Sequence, residues 1–272
     1  MGKDYLGTYN GSVFYPLNTD PNDVNIEAIA YALSNNSRFC GHTSKFWSVA
    51  QHSLLVAKFI RDELSEEISR AGLNPEKAEM LGLLHDASEA YLSDMCRPIK
   101  QFMQEYLKYE QMVQTKILGA FNLIDSEYEK YMEFVKIADD TILYAEAIVL
   151  MNPCEMWLDD YYDGFNKPKR EEYQQYIKLE NIQIVEAKFI DRCIELCNYL
   201  NLTDTPVDRL PKPEHTVYKP IYVLGKIPLY YMESMDGIHI RIAENAEDYL
   251  FKHRELDSVL DIVEYLKFKI GV

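Results

Sequence analysis

At 272 residues the chain is long for one average domain and short for two large ones, which predicts a single main core with an appendage. Hydrophobic residues, 47% of the total, suffice for that core, yet no apolar run is long enough to span a membrane, and the opening "MGKDYLGTYNGSVFYPLN" lacks the apolar stretch of a signal peptide. A formal charge of −16 argues against nucleic acid or an anionic membrane as partner, because gripping their phosphates takes clustered Lys and Arg. The expectation is a cytoplasmic protein that meets a small molecule, with the oligomeric state left open, a homo-oligomer included. Cys40, Cys96, Cys154, Cys193 and Cys197 form no CxxC pair, which suits a reducing compartment, and they read as core filler.

In chain order, roughly the first 25 residues combine turn formers with aromatics ("GTYNGSVFYPLN", "TDPNDVN") and predict a hairpin or loop arm. Helical periodicity starts near Ile26. Between Glu27 and Asp62 there is no carboxylate, while Arg38, His42, Lys45, His52, Lys58 and Arg61 all fall there. In so acidic a chain that window predicts an anion-binding surface, chance composition being the alternative. A second helix is predicted from Ser48, where "SVAQ" has the capping-box pattern and Val49, His52, Val56 and Phe59 share one face. The third opens at "NPEK", with Asn74 as cap and Pro75 in the first turn, and is expected to continue through "LGLLHDASEAY" towards Tyr91.

Further helices are expected over about 100–121, 126–151 and 181–200, with the aromatic stretch "WLDDYYDGFNKPKREEYQQY" between the last two left unplaced. After Leu200 the prolines of "TDTPVDRLPKPEH" read as a linker. The next segment, "KPIYVLGKIPLYYMESMDGIHIRIA", alternates β-formers around an Asp236-Gly237 turn and precedes the amphipathic helix "LDSVLDIVEYLKFKI". The organisation predicted is a mainly α body over residues 1–204 and a small α+β appendage over 205–272.

Leucines as dense as those of the third helix mark a buried element, and a core does not accept His85, Asp86 and Glu89 without compensation. Adjacent helix positions diverge by about 100°, so His85 and Asp86 meet at one ion only where the helix flanks a cavity. His52 likewise interrupts an apolar face on a different helix. Two inward histidines and an aspartate point to a divalent cation, which imidazole and carboxylate satisfy together. "VKIADDTILYAEA" offers a further ligand: Val135, Asp139, Ile142, Glu146 and Val149 form the more buried stripe, which turns Asp139 inward. Asp140 shares its face with Glu129, Glu133 and Lys136 and is expected in solvent. His215, His239 and His253 lack ligand spacing and read as structural.

The order His52, His85-Asp86, Asp139 resembles the HD-domain phosphohydrolase superfamily, an all-helical fold that holds a divalent ion through the pattern H…HD…D. The pieces "SVAQHS", "LLHDASEAYLSDMCRPIK" and "VKIADD" are similar to those of its bacterial 5′-deoxynucleotidase branch, and "RFCGHTSKFWSVAQHS" resembles phage-encoded members. The likeness covers roughly residues 9–151 and none of the tail. It implies an HD-type helical bundle with one divalent transition metal (Mn, Co, Zn, Fe or Ni, Mg being admissible) on His52, His85, Asp86 and Asp139. It also implies Glu89 and Asp94 beside the attacking water and leaving group, and Arg38 on the substrate phosphate. The competing role for Arg38 is a cap on the preceding helix. Phe39 as a stacking surface for base or sugar, with His42 and Lys45, completes the expected substrate contacts, while Arg97 and Lys100 read as solvated charges.

The activity so implied is metal-dependent release of phosphate from deoxynucleoside 5′-monophosphates. Cleavage of a deoxynucleoside triphosphate to nucleoside and triphosphate would use the same residues, so the sequence does not choose between them. A third reading, of another class, is a non-catalytic nucleotide sensor whose C-terminal module relays the signal.

Overall fold

The computed structural model describes residues 4–151 and 173–210, and the backbone of four strands between residues 219 and 251. Most of the aromatic stretch after Met151, with Cys154, His215, Asp236, His253 and the expected C-terminal helix, lies outside the described residues. The chain divides into two compact units, Met1–Leu210 and Pro211–Val272.

The helical unit opens with a short hairpin, β1 (Leu6–Gly7) against β2 (Val13–Phe14). Asn25 caps α1 (Ile26–Asn35) by accepting from the Ala28 N–H at 2.8 Å. Ser48 and Gln51 form a reciprocal capping box at the start of α2 (Val49–Phe59), each side chain meeting the other's backbone N–H at 3.2 Å. A π-helical turn, Ile60–Leu64, carries the chain into α3 (Ser65–Arg70). Asn74 caps α4 (Pro75–Leu83). Two short helices follow, α5 (Glu89–Leu92) and α6 (Arg97–Lys100), then α7 (Gln104–Ala120), α8 (Tyr128–Leu150) and α9 (Ile182–Tyr199).

α2 packs on α4, both pack on α8, and α9 lies against α1, α2 and α4. Val49, Val56 and Phe59 of α2 meet one buried core with Leu81, Leu83, Val135, Ile142 and Phe189. Each such side chain contributes about 1.5–3 kcal/mol by leaving water. His52, Glu89 and Glu146 sit in that same interior, where an unpaired polar group costs on the order of 1–3 kcal/mol. The fold must therefore account for them individually.

The expected helix from Asn74 to Tyr91 is broken. α4 stops at Leu83, residues 84–88 form a turn, and a new helical turn starts at Glu89. The fourth helix is also divided, into α6 and α7. The helical unit extends beyond residue 204: Thr205 and Asp208 build a capping box, and Arg209 donates to the carbonyls of Pro21 and Asn22.

The second unit holds a sequential antiparallel sheet, β3 (Lys219–Leu224), β4 (Ile227–Ser234), β5 (Gly237–Ile242) and β6 (Asp248–Phe251). Its register pairs Tyr222 with Leu229, Met232 with His239 and Ile240 with Tyr249. The ladder is irregular between Pro220 and Tyr222, on an edge strand, where a residue without an N–H is tolerated. Among the described residues no helix is long and apolar enough to cross a membrane.

Candidate metal centre

The break after α4 resolves the geometric difficulty posed by His85 and Asp86. Leu84 leaves the helix at φ −100°, ψ 7°, and the next bonds are of the tighter i to i+3 kind, Ala87 N–H to Leu84 O and Glu89 N–H to Asp86 O, each 3.0 Å. Gln114 of α7 pins the turn from outside, donating to Leu84 O at 2.7 Å and accepting from Ser88 N–H at 2.9 Å. Freed from helical spacing, adjacent side chains converge: Asp86 Oδ2 lies 3.0 Å from His85 Nε2 and 3.9 Å from His52 Nε2.

Asp139 of α8 closes the group with Oδ1 at 3.0 Å from His52 Nε2. One ligand atom from each of His52, His85 and Asp139 falls within 4.8 Å of the others, an arrangement that could hold a metal ion. The histidine rings fit such an ion. Each Nδ1 is engaged from behind, His85 donating to Gly82 O at 2.8 Å and His52 meeting Glu146 Oε1 at 2.9 Å. Each Nε2 is buried, and although a carboxylate oxygen is near, neither makes a properly directed hydrogen bond. Nitrogens fixed from the rear with bare lone pairs in front are what metal-ligating imidazoles require.

Electrostatics agree with this. Burial alone would raise the Asp139 carboxyl, but the close approach of His52 and the charges of His85 and Arg97 hold it far below the usual range. Burial likewise works against Asp86, and His85 and His52 override it. On His52, burial and Arg38 oppose a proton, yet Glu146 and Asp139 outweigh them and push its pKa up to about 9. A proton and a cation thus compete for the same carboxylate-rich centre.

Asp139 and Asp140 separate as their helix faces do. The Asp139 side chain is 18% exposed and faces the histidines, whereas Asp140, at 35%, pairs with Lys136 at 2.8 Å. Arg97 bridges the two, 2.7 Å to Asp139 and 3.3 Å to Asp140. Arg97 is exposed, as expected of a solvated charge, but ion-paired, whereas Lys100 is half-buried, pairing with Glu110 at 2.6 Å and approaching Glu89 at 4.0 Å. Both lie on α6, in the chain leading out of the broken helix.

Arg38 is buried beside the centre, its Nε donating to Glu146 Oε2 at 3.1 Å and its Nη1 lying 3.6 Å from Asp86. Its side chain runs into the site, not to the last carbonyls of α1. The turn that delivers it is strained: Phe39 and Cys40, neither a glycine, adopt φ 55° and 51°. Phe39 is half-buried, with the Arg38 guanidinium 5.4 Å from its ring centre. His42 is exposed and Lys45 half-buried on the following loop. Cys40 is exposed and Cys96 half-buried, so only Cys193 and Cys197 among the described cysteines are core filler.

Glu89 is buried with Oε2 unpartnered, and burial, then Asp86 and Asp94, lifts its pKa well above the ordinary glutamate value. Asp94, in the loop between α5 and α6, is raised in the same way, by burial first and Asp86, with Arg38 and Lys100 opposing. Sequence reasoning missed Glu146 as a site residue. It was visible on the inward stripe two turns after Asp139, but its partners, Arg38, Trp47 and His52, lie about a hundred residues away in the chain.

Residues 37–193, more than half of the chain, match the family described as 5′-deoxynucleotidase YfbR-like. The YfdR protein of Escherichia coli K12 is 31% identical over 138 residues, 50% of this chain and 70% of that protein. A 5′-deoxynucleotidase of Pectobacterium atrosepticum is 31% identical over 146 residues, 42% of this chain and 73% of its own. One of Vibrio parahaemolyticus is 29% identical over 119 residues, 37% and 61% of the two chains. The matched span contains the broken helix, both histidines and all the carboxylates around them, and the chain belongs to the YfbR-like 5′-deoxynucleotidase family of HD-domain, metal-dependent phosphohydrolases.

Proposed function

We propose that the protein removes phosphate from deoxynucleoside 5′-monophosphates. The observation that carries this reading is the pair of bare histidine Nε2 atoms facing Asp86 and Asp139, with a buried arginine alongside. His52, His85, Asp86 and Asp139 would hold one divalent transition ion, Mn, Co, Zn, Fe or Ni, with Mg admissible. Such an ion supplies Lewis acidity towards a phosphoryl oxygen and the attacking water.

The chain's own groups do the rest. Arg38 offers the phosphate a planar fork of donors, and its position beside Asp86 directs that fork at the centre. Phe39 presents a face to the sugar or base, and His42 and Lys45 extend the positive surface outward. Burial among other carboxylates raises the Glu89 carboxyl well above the ordinary glutamate value, which suits it to protonate the departing 5′-oxygen. Asp94, less buried and within the electrostatic reach of Arg38, would orient the attacking water.

The exposed His42 and half-buried Lys45 beyond Arg38 favour a second reading, in which a deoxynucleoside triphosphate places two further phosphates along that loop. Incubating the protein with Mn²⁺ or Co²⁺ and deoxynucleoside mono- and triphosphates, then separating the products, tests both. Inorganic phosphate from monophosphates is the expected result. Inorganic triphosphate would select the second reading, and tight binding without any product would indicate a sensor.

A further inference from the structure

We infer that Glu146 is a positioning residue which, through one carboxylate, sets both the imidazole face offered to the metal and the arginine fork offered to the phosphate. The second half of this inference rests on the phosphate role of Arg38 proposed above; the first half does not.

The Glu146 side chain is wholly buried and accepts three N–H groups. Oε1 takes the indole N–H of Trp47 at 2.8 Å and the Nδ1–H of His52 at 2.9 Å, and Oε2 takes the Nε–H of Arg38 at 3.1 Å. An ionised carboxylate only accepts, so the Nδ1 of His52 must carry a proton towards Glu146, and in the neutral ring that a metal requires the lone pair is the one on Nε2, towards Asp139. The same bond stops the ring from turning about its stem. On the other oxygen, a guanidinium is rigid and planar, so fixing Nε fixes the direction of both Nη groups.

Trp47 holds the carboxylate itself in place. Its indole bonds Glu146 while its backbone carbonyl accepts from the Arg38 N–H at 2.9 Å. The strained turn at Phe39 and Cys40 is thereby tied at its base to the residue that aims Arg38. A carboxylate serving only as core filler would need none of this: an apolar side chain would fill the space at less desolvation cost.

The test compares the parent with Glu146→Gln, Glu146→Asp, Arg38→Lys and the Glu146→Gln/Arg38→Lys double variant. Two quantities are read: Co²⁺ affinity by chelator competition, with no substrate present, and KM for a deoxynucleoside monophosphate. Glu146→Gln is expected to weaken Co²⁺ by about 10–100-fold, the usual effect of losing the partner behind a ligating histidine. It should also raise KM about tenfold, with little further rise when combined with Arg38→Lys, because both changes disable one device. Glu146→Asp keeps the charge but is one methylene short of three donors. It covers the case in which the glutamine variant does not fold, and is expected to weaken Co²⁺ in the same direction.

A folded variant with Co²⁺ affinity within about twofold of parent, or KM effects that multiply in the double variant, would overturn the inference. If the parent hydrolyses no deoxynucleoside monophosphate, the function proposed above fails, and the Co²⁺ comparison alone decides the role of Glu146.

Discussion

Glu146 on α8 and Glu89 on α5 are equally interior, 0% and 5% exposed, yet their surroundings treat them in opposite ways. Glu146 receives three donors, and His52 and Arg38 overcome its burial to keep it ionised. Glu89 has an oxygen without a partner, a lysine no nearer than 4.0 Å, and a pKa well above the ordinary value. The difference fits the two jobs proposed for them. A carboxylate surrounded by donors is a fixed anchor, and a bare one crowded by like charges is built to carry a proton.

Removing the proton carrier should give the largest contrast. Glu89→Gln is expected to lower turnover by about 10²–10⁴-fold, the usual worth of a positioned acid. The same change should stabilise the metal-free protein. Because the Glu89 pKa is raised on folding, the folded chain keeps a proton that the unfolded chain releases near an ordinary pKa of about 4.3. Stability therefore falls as pH rises between those two values, and a neutral glutamine escapes that loss. Denaturant titration should show the variant gaining on the parent as pH rises above the ordinary glutamate range, the gain vanishing below about pH 4. A loss of stability in both pH ranges would erase the distinction between the two glutamates.

On the anchored side, Arg38→Lys keeps the charge but not the fork. Turnover should fall by the equivalent of about 1.5–3 kcal/mol with metal content unchanged. Parental turnover would remove Arg38 from the site and leave His42 or Lys45 as the phosphate contacts. The smallest effect is expected next door to the proposed ligand Asp139: Asp140→Asn should stay within about tenfold of parent, whereas Asp139→Asn falls far below it. Steady-state assays that ranked them the other way would reverse the inward face assigned to α8.

What was legible in the sequence was what local chemistry controls. The Ser48–Gln51 box and the Asn74–Pro75 start are set by residues three apart or adjacent, and both appear as read. The periodicity of α8 placed Asp139 and Glu146 on one stripe for the same reason. The break at Leu84 was not legible, because "LGLLHDASEAY" is made largely of good helix formers and the turn is held by Gln114, from another helix. The ion pairs of Arg97 and Lys100 were not legible because their partners, Asp139 and Glu110, come from α8 and α7. Cys40 was misplaced because the left-handed turn around it serves Arg38, and carries the thiol outward. In each case the missing information was a contact across the fold.

The most direct measurement of the central claim is metal content against phosphate release. The parent, His85→Ala and Asp139→Ala proteins would be stripped with chelator, reloaded with Co²⁺ or Mn²⁺, and analysed for bound metal beside activity on a deoxynucleoside monophosphate. The account predicts that phosphate release by the parent saturates at one ion per chain. Both variants should fail to retain the ion and should lose most activity while staying folded. Full metal occupancy in both variants, or undiminished phosphate release from the stripped parent, would contradict it.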